Sequence, residues 1–291
     1  MTDVLRALIE PGFFTSAPVL LAIAIGGPVA IVAAVVGVFT VIRGQAFAGE
    51  ALGDIGATGG ASAYLAGIGA LWGFIGIAVV AAVVMEMIGV QRVRGRDLAT
   101  GIVLGAGFGL AALFLYLGTT YDSNGAATVT ILFGSIFALN SSDLPFVLGF
   151  GLVVLGTLAL LYRPLMLASI SPDLAAARGV PVRVVGAGYL ISMAVAVALS
   201  ALTIGAILST ALLVGPAATA LRLTTRPGRA IAAAAVIGVG STWLGVLLAY
   251  DSYDWGASHH AWPASFFIVT VVLIVYLVAG WVRPSGRRSR R

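Results

Sequence analysis

The chain of 291 residues contains no cysteine and no lysine, and charged side chains make up only 9% of it. Without cysteine, disulfides, thiolate metal ligands and thiol nucleophiles are excluded together. Without lysine, all 16 basic residues are arginine. The shortage of charge excludes more. A soluble domain carries roughly 25% charged residues, whereas this chain is 60% hydrophobic and has too little polar surface to face water. Its solvent is therefore the lipid bilayer. At about 20 residues per span, its length suits eight to ten helices joined by short loops. A phosphate-binding G-x4-G-K-[ST] loop and an H-E-x-x-H helix are both missing, so any ATP must be hydrolysed by another chain and nothing supports a membrane-embedded enzyme. The sequence shows no tandem repeat.

What charge there is falls in a pattern. The net charge of +5 would suit nucleic acid, but the arginines are gathered in gaps between apolar runs and in a short Arg-rich tail, 283–291. This is the distribution of cytoplasmic loops under the positive-inside rule, and no nucleic-acid partner is expected. Before the first run, residues 1–18 lack the basic start and cleavage site of a secretory signal, so that run is read as a retained span. Apolar runs cover about 19–42, 48–69, 71–90, 98–118, 145–162, 184–202, 204–221, 230–250 and 264–282. The run 145–162 is expected to stop at Arg163-Pro164, followed by a polar loop over 165–183. Residues 128–139 are too few to cross ~30 Å of hydrocarbon and read as a re-entrant half-helix. The expected fold is all-α: a polytopic membrane protein of about 8–9 transmembrane helices plus a short re-entrant helix, forming one transmembrane domain over 1–291. Arginine placement puts the N-terminus outside and the C-terminus in the cytoplasm.

Thirty-eight glycines suit close helix approach in lipid, and Gly101-x3-Gly105-x3-Gly109 is expected to form a helix–helix seam. Acids at membrane depth cost ~2.5–3.5 kcal/mol each on insertion scales, and three need an explanation: Glu50, Asp54 and Glu86. Glu50 and Asp54, four residues apart, share a helix face one turn apart. Two such carboxylates are stable as a pair only beside a cation or in water, or with one protonated. They read either as a cation path or as solvated residues at the cytoplasmic mouth, since Arg43 lies seven residues before Glu50.

The segment from Val41 to Asp54 (VIRGQAFAGEALGD) resembles LRRMAFLGDALSHA of the metal-type ABC importer permeases, the zinc, manganese and iron group. Leu132 to Ile136 (LFGSI), followed by Ser142-Asp143-Leu144, is similar to that family's LFGNIL…DL. Ser171 to Pro181 (SPDLAAARGVP) looks like its DPELARALGVP, and Ile204 to Ala220 (IGAILSTALLVGPAATA) like its VGALLVTALLIIPAATA. Four blocks in one order make the resemblance specific. It implies a homodimeric permease with no intrinsic cofactor, bound to a cytoplasmic ABC ATPase that holds the ATP. An extracellular metal-binding lipoprotein, or a surface-anchored binding protein as in an actinobacterial branch, would feed it. The cargo would be a divalent metal or a metal chelate, and the location the plasma membrane.

The family's metal-contacting Asp and His correspond to Glu50 and Asp54. The resemblance thus implies a transient metal site in the translocation path, and loss of the nitrogen donor favours Mn²⁺ over Zn²⁺, with Fe²⁺ as a further option. His259 and His260, in an outer loop with two carboxylates, either catch metal at the entrance or belong to an aromatic interfacial belt. Pro172, Asp173, Ala176 and Gly179 fall in a short helix, with Asp173 expected as its cap and Gly179-Val180-Pro181 as its stop. Such a helix is either a connector or, as the resemblance implies, the element that couples to the ATPase. The rival reading from another class is an ion- or proton-coupled secondary transporter that relays protons through Glu50, Asp54 and Glu86.

Overall fold

The computed structural model describes residues 13, 15–88, 96–122, 125–255 and 262–281. The expected positions His259 and His260, the arginines at 92 and 94 and the tail 283–291 lie outside these residues. Among the described residues, eleven α-helices run in the order α1 (Ala17–Ile42), α2 (Ala46–Leu65), α3 (Ala70–Ile88), α4 (Arg96–Asp122), α5 (Gly125–Phe133), α6 (Leu144–Ile170), α7 (Pro172–Ala177), α8 (Val182–Ile204), α9 (Ala206–Leu223), α10 (Pro227–Asp251) and α11 (Ala264–Trp281). Among the described residues there is no strand, as expected where lipid cannot satisfy open backbone groups. Eight of the helices are long and apolar enough to cross a membrane. The ninth long helix, α2, is glycine-rich and less apolar, and it lies largely inside the bundle.

Helix α8 is the hub. Of its most apolar stretch 78% is buried, against 17% for α4 at the periphery. It packs against α1, α2, α3, α6 and α9, and Tyr189, Leu190, Met193 and Leu199 on it are wholly enclosed. Its hydroxyls remain satisfied because they fold back on their own helix: Ser192 donates to the Gly188 carbonyl at 2.8 Å and Ser200 to that of Ala196 at 2.9 Å.

A half-length helix is present, at Gly125–Phe133 rather than over the expected 128–139. Nine residues in α5 rise only about 14 Å, and the helix ends against the break between α8 and α9. Gly134 and Gly205 meet there with φ of 73° and 90°. A Cβ on Gly134 would stand 2.3 Å from the Gly205 nitrogen, so neither position accepts a side chain.

Three expectations change. First, α6 does not stop at Arg163-Pro164 but continues to Ile170 with Pro164 inside it. The ring frees the carbonyl four residues back, at Leu160, which is 84% exposed, while Leu165 and Ala168 beyond it are buried. Leu165 shares the core cluster with Val185 and Tyr189 of α8, so packing carries the helix past its breaker. Second, Asp173 is not the cap of the short helix. Ser171 is, its Oγ accepting from the Leu174 N–H at 3.3 Å, with Pro172 in the first turn, where its missing N–H costs nothing. Third, Gly101, Gly105 and Gly109 form no seam within this chain: a Cβ at any of them meets open space.

Candidate functional site

Glu50 and Asp54 lie on α2 one turn apart, as their spacing requires, but in different surroundings. Glu50 is exposed, and Asp54 is only 5% exposed. The Oδ2 oxygen of Asp54 is buried with no hydrogen-bond partner among the described residues. An unmet acceptor in a low-dielectric interior is costly. The neighbouring Gly53 faces the Ser209 hydroxyl at the start of α9, where a Cβ would come within 2.9 Å of Ser209 Oγ. Helix α2 therefore sits close on α9 because its small residues allow it.

Glu50 opens into a groove of about 500 Å³ between α2, α9 and α11. Apolar side chains such as Val214 and Val272 line most of it, and Thr210 and Tyr276 add hydroxyls. At the edge of the groove the Arg222 guanidinium lies over the Tyr276 ring, 3.6 Å from its centroid, and donates to the Tyr276 hydroxyl. The groove thus has a carboxylate partway along, a threonine hydroxyl on the facing helix and a cation–π pair at one margin. Among the described residues no three His, Cys, Asp or Glu side chains converge into a metal cage. Of the two carboxylates, Glu50 lines the groove and Asp54 does not.

Glu86 lies in the last turn of α3, the helix packed beside α2. His259 and His260 lie outside the described residues. Among the described residues, Trp255 packs on Phe267 and Trp262 on Phe266, with centroids 5.7 and 5.9 Å apart. This aromatic cluster at the start of α11 suits a membrane–water boundary.

The short helix α7 presents Pro172, Asp173, Leu174 and Ala176 outward, while Ala175 is fully buried. Gly179, at φ 78°, closes it: its N–H bonds to the Ala176 carbonyl at 2.9 Å, and the Val180 N–H bonds to that of Ala175 at 3.0 Å. Those paired bonds around a left-handed glycine make a rigid stop. The short helix is thus capped at both ends.

Sequence reasoning missed Thr210, Tyr276 and Arg222. A signal existed for Tyr276, the hydroxyl-bearing ring in an otherwise mostly apolar run, but its meeting with Glu50 depends on how α2, α9 and α11 pack.

Comparison with known proteins places this geometry among transport subunits. Residues 17–283 match the family described as ABC 3 transport family. The chain is 32% identical over 218 residues to the manganese transport system membrane protein MntC of Halalkalibacterium halodurans, covering 75% of this chain and 74% of that protein. It is 26% identical over 246 residues to the high-affinity zinc uptake system membrane protein ZnuB of Haemophilus influenzae, covering 84% of this chain and 92% of that one. In fold it is similar to a chain of PsaBC from Streptococcus pneumoniae in complex with Fab, with a TM-score of 0.81, 24% identity and coverage of 99% of this chain and 98% of that one.

Proposed function

The chain belongs to the ABC 3 transport family, and from that premise we propose that it is the membrane-spanning permease subunit of an importer for divalent metal ions, with Mn²⁺ the favoured cargo. Its whole length acts as one permease domain in the plasma membrane, N-terminus outside and Arg-rich tail in the cytoplasm. The observation that carries the reading is the pair on α2: Glu50 open to a groove and Asp54 buried with an unmet oxygen, one turn apart. A divalent cation passing the groove satisfies both, with oxygen ligands alone, which suits Mn²⁺ better than Zn²⁺. Manganese is also the cargo named for MntC.

The groove argues for a homodimer. A carboxylate facing hydrocarbon costs about 2.5–3.5 kcal/mol, so the open side of the groove is closed by a second copy of the chain. Twofold symmetry then sets two Glu50 and two Asp54 side chains around one path. A separate cytoplasmic ATPase docks on α7 through Pro172, Asp173, Ala176 and the Gly179 stop, and supplies the ATP chemistry. A binding protein outside delivers the metal near the loop that carries His259 and His260.

The test is uptake of radioactive Mn²⁺ by cells with the wild-type chain and with the Glu50→Gln, Asp54→Asn double variant. Both substitutions keep size and remove charge, and uptake is expected to fall by at least about tenfold. Wild-type uptake by the double variant removes the pair from the path.

A further inference from the structure

We propose that Arg43 is the positioning residue through which movement of α7 reaches the helix that carries Glu50 and Asp54. The proposal rests on the reading just given, in which α7 docks an ATPase and α2 carries the path. Arg43 ends α1 and stands between four elements. Behind it Gly44, at φ 61°, turns the chain, with the Gln45 N–H bonded to the Thr40 carbonyl at 2.9 Å. The planar guanidinium then reaches two ways. Its Nε donates to Gln45 Oε1 at 3.2 Å, at the residue that opens α2, and its Nη1 donates to Ser169 Oγ at 3.3 Å, in the last turn of α6. Ser169 spends its own proton on the Leu165 carbonyl at 2.6 Å, so its oxygen accepts from Arg43. Two residues beyond Ser169, Ser171 caps α7.

The face of the same guanidinium lies 5.0 Å from the centroid of Tyr189 on the central helix. The Tyr189 hydroxyl is 2.8 Å from Thr40 Oγ1. Thr40 donates to the Val36 carbonyl at 3.0 Å, which leaves Tyr189 as the donor to Thr40. Both hydroxyls also lie 3.6 Å from Met193 Sδ. Met193 in turn borders Gly49, where a Cβ would sit 3.8 Å from that sulfur, and Gly49 adjoins Glu50. Two routes therefore lead from the foot of α7 to the acidic pair, one through Gln45 and one through Tyr189 and Met193, and Arg43 is where they divide. An arginine fork can hold two directions and a ring face at once, which a lysine ammonium cannot.

Position alone is not coupling, so the test measures transport against hydrolysis. The permease, purified with its ATPase, reconstituted in vesicles and supplied with its binding protein, is assayed for Mn²⁺ uptake and ATP hydrolysis in the same sample. For Arg43→Gln, uptake should fall about tenfold while hydrolysis stays within about twofold of wild type. Arg43→Lys, which keeps the charge over Tyr189, should recover part of the lost uptake. Ser169→Ala, a milder change that removes one hydroxyl, should lower uptake per ATP by itself and add nothing on top of Arg43→Gln. The proposal is overturned if Arg43→Gln moves as much metal per ATP as wild type, if uptake and hydrolysis fall in proportion, or if the two variants act independently. Absence of Mn²⁺ uptake by wild-type vesicles would instead overturn the importer reading beneath it.

Discussion

Helices α2 and α4 pack side by side, both rich in glycine, yet they live in opposite surroundings. The less apolar of the two, α2, is the one inside: its residues from Ala48 to Ala63 are buried with few exceptions. The more apolar α4 has only 17% of its best stretch covered. Lipid explains the inversion. A lipid-facing surface must be apolar, so weak hydropathy in a membrane chain marks an interior helix. Glycine likewise means different things on the two. On α2, Gly59 crosses Gly73 of α3 so closely that a Cβ on Gly59 would lie 2.0 Å from the Gly73 carbonyl oxygen. On α4, a Cβ on the regularly spaced Gly101, Gly105 or Gly109 would meet open space, whereas the off-stripe Gly107 lies against Ile55 of α2 and accepts a hydrogen bond from Thr58 at 2.9 Å. Spacing alone does not make a seam; a partner does.

The strongest way to sharpen this contrast is Gly59→Leu. Backbone meets backbone there, so α2 and α3 must separate, and the cost should exceed the upper end of ordinary overpacking, about 3 kcal/mol. Loss of monodisperse protein in detergent size exclusion is the expected result, and a normal profile would break the account of α2 as a tightly held interior helix. A smaller effect is expected from Asp54→His, also on α2. An imidazole donor should leave the fold intact and move preference from Mn²⁺ toward Zn²⁺ by about tenfold, read as the ratio of the two metals taken up in competition. An unchanged ratio would place Asp54 off the path. The smallest effect belongs to α4. Gly105→Leu should alter thermal stability by no more than about 0.5 kcal/mol, the range of an unhindered surface change. A large loss in the assembled complex, but not in the isolated chain, would reveal another subunit on this face.

Much of this organisation is legible in the amino-acid sequence. The nine long runs, the half-length segment near Gly134 and the arginine-bearing gaps follow from hydropathy, length and charge, because a bilayer penalises every departure from them. The spacing of Glu50 and Asp54 puts both on one face. Local rules fail where packing outvotes them. Pro164 looks like a stop, but Leu165 buried against α8 keeps α6 going. At the short helix the Ser-Pro-Asp order already holds the right answer: a proline in the first turn makes the preceding Ser171 the cap and leaves Asp173 outside that role.

By itself the sequence determined that the chain is a bundle of membrane helices, in what order they come, and that Glu50 and Asp54 share one helix face. Those are matters of composition and period, which act residue by residue against the solvent. Only the tertiary structure decided that Glu50 opens into a groove with Tyr276 and Thr210 while Asp54 is shut in, and that Arg43 meets Ser169, 126 positions away. Such meetings depend on which helix faces pack together, and in lipid that is settled by close fit between surfaces, since apolar surface alone does not favour one neighbour over another.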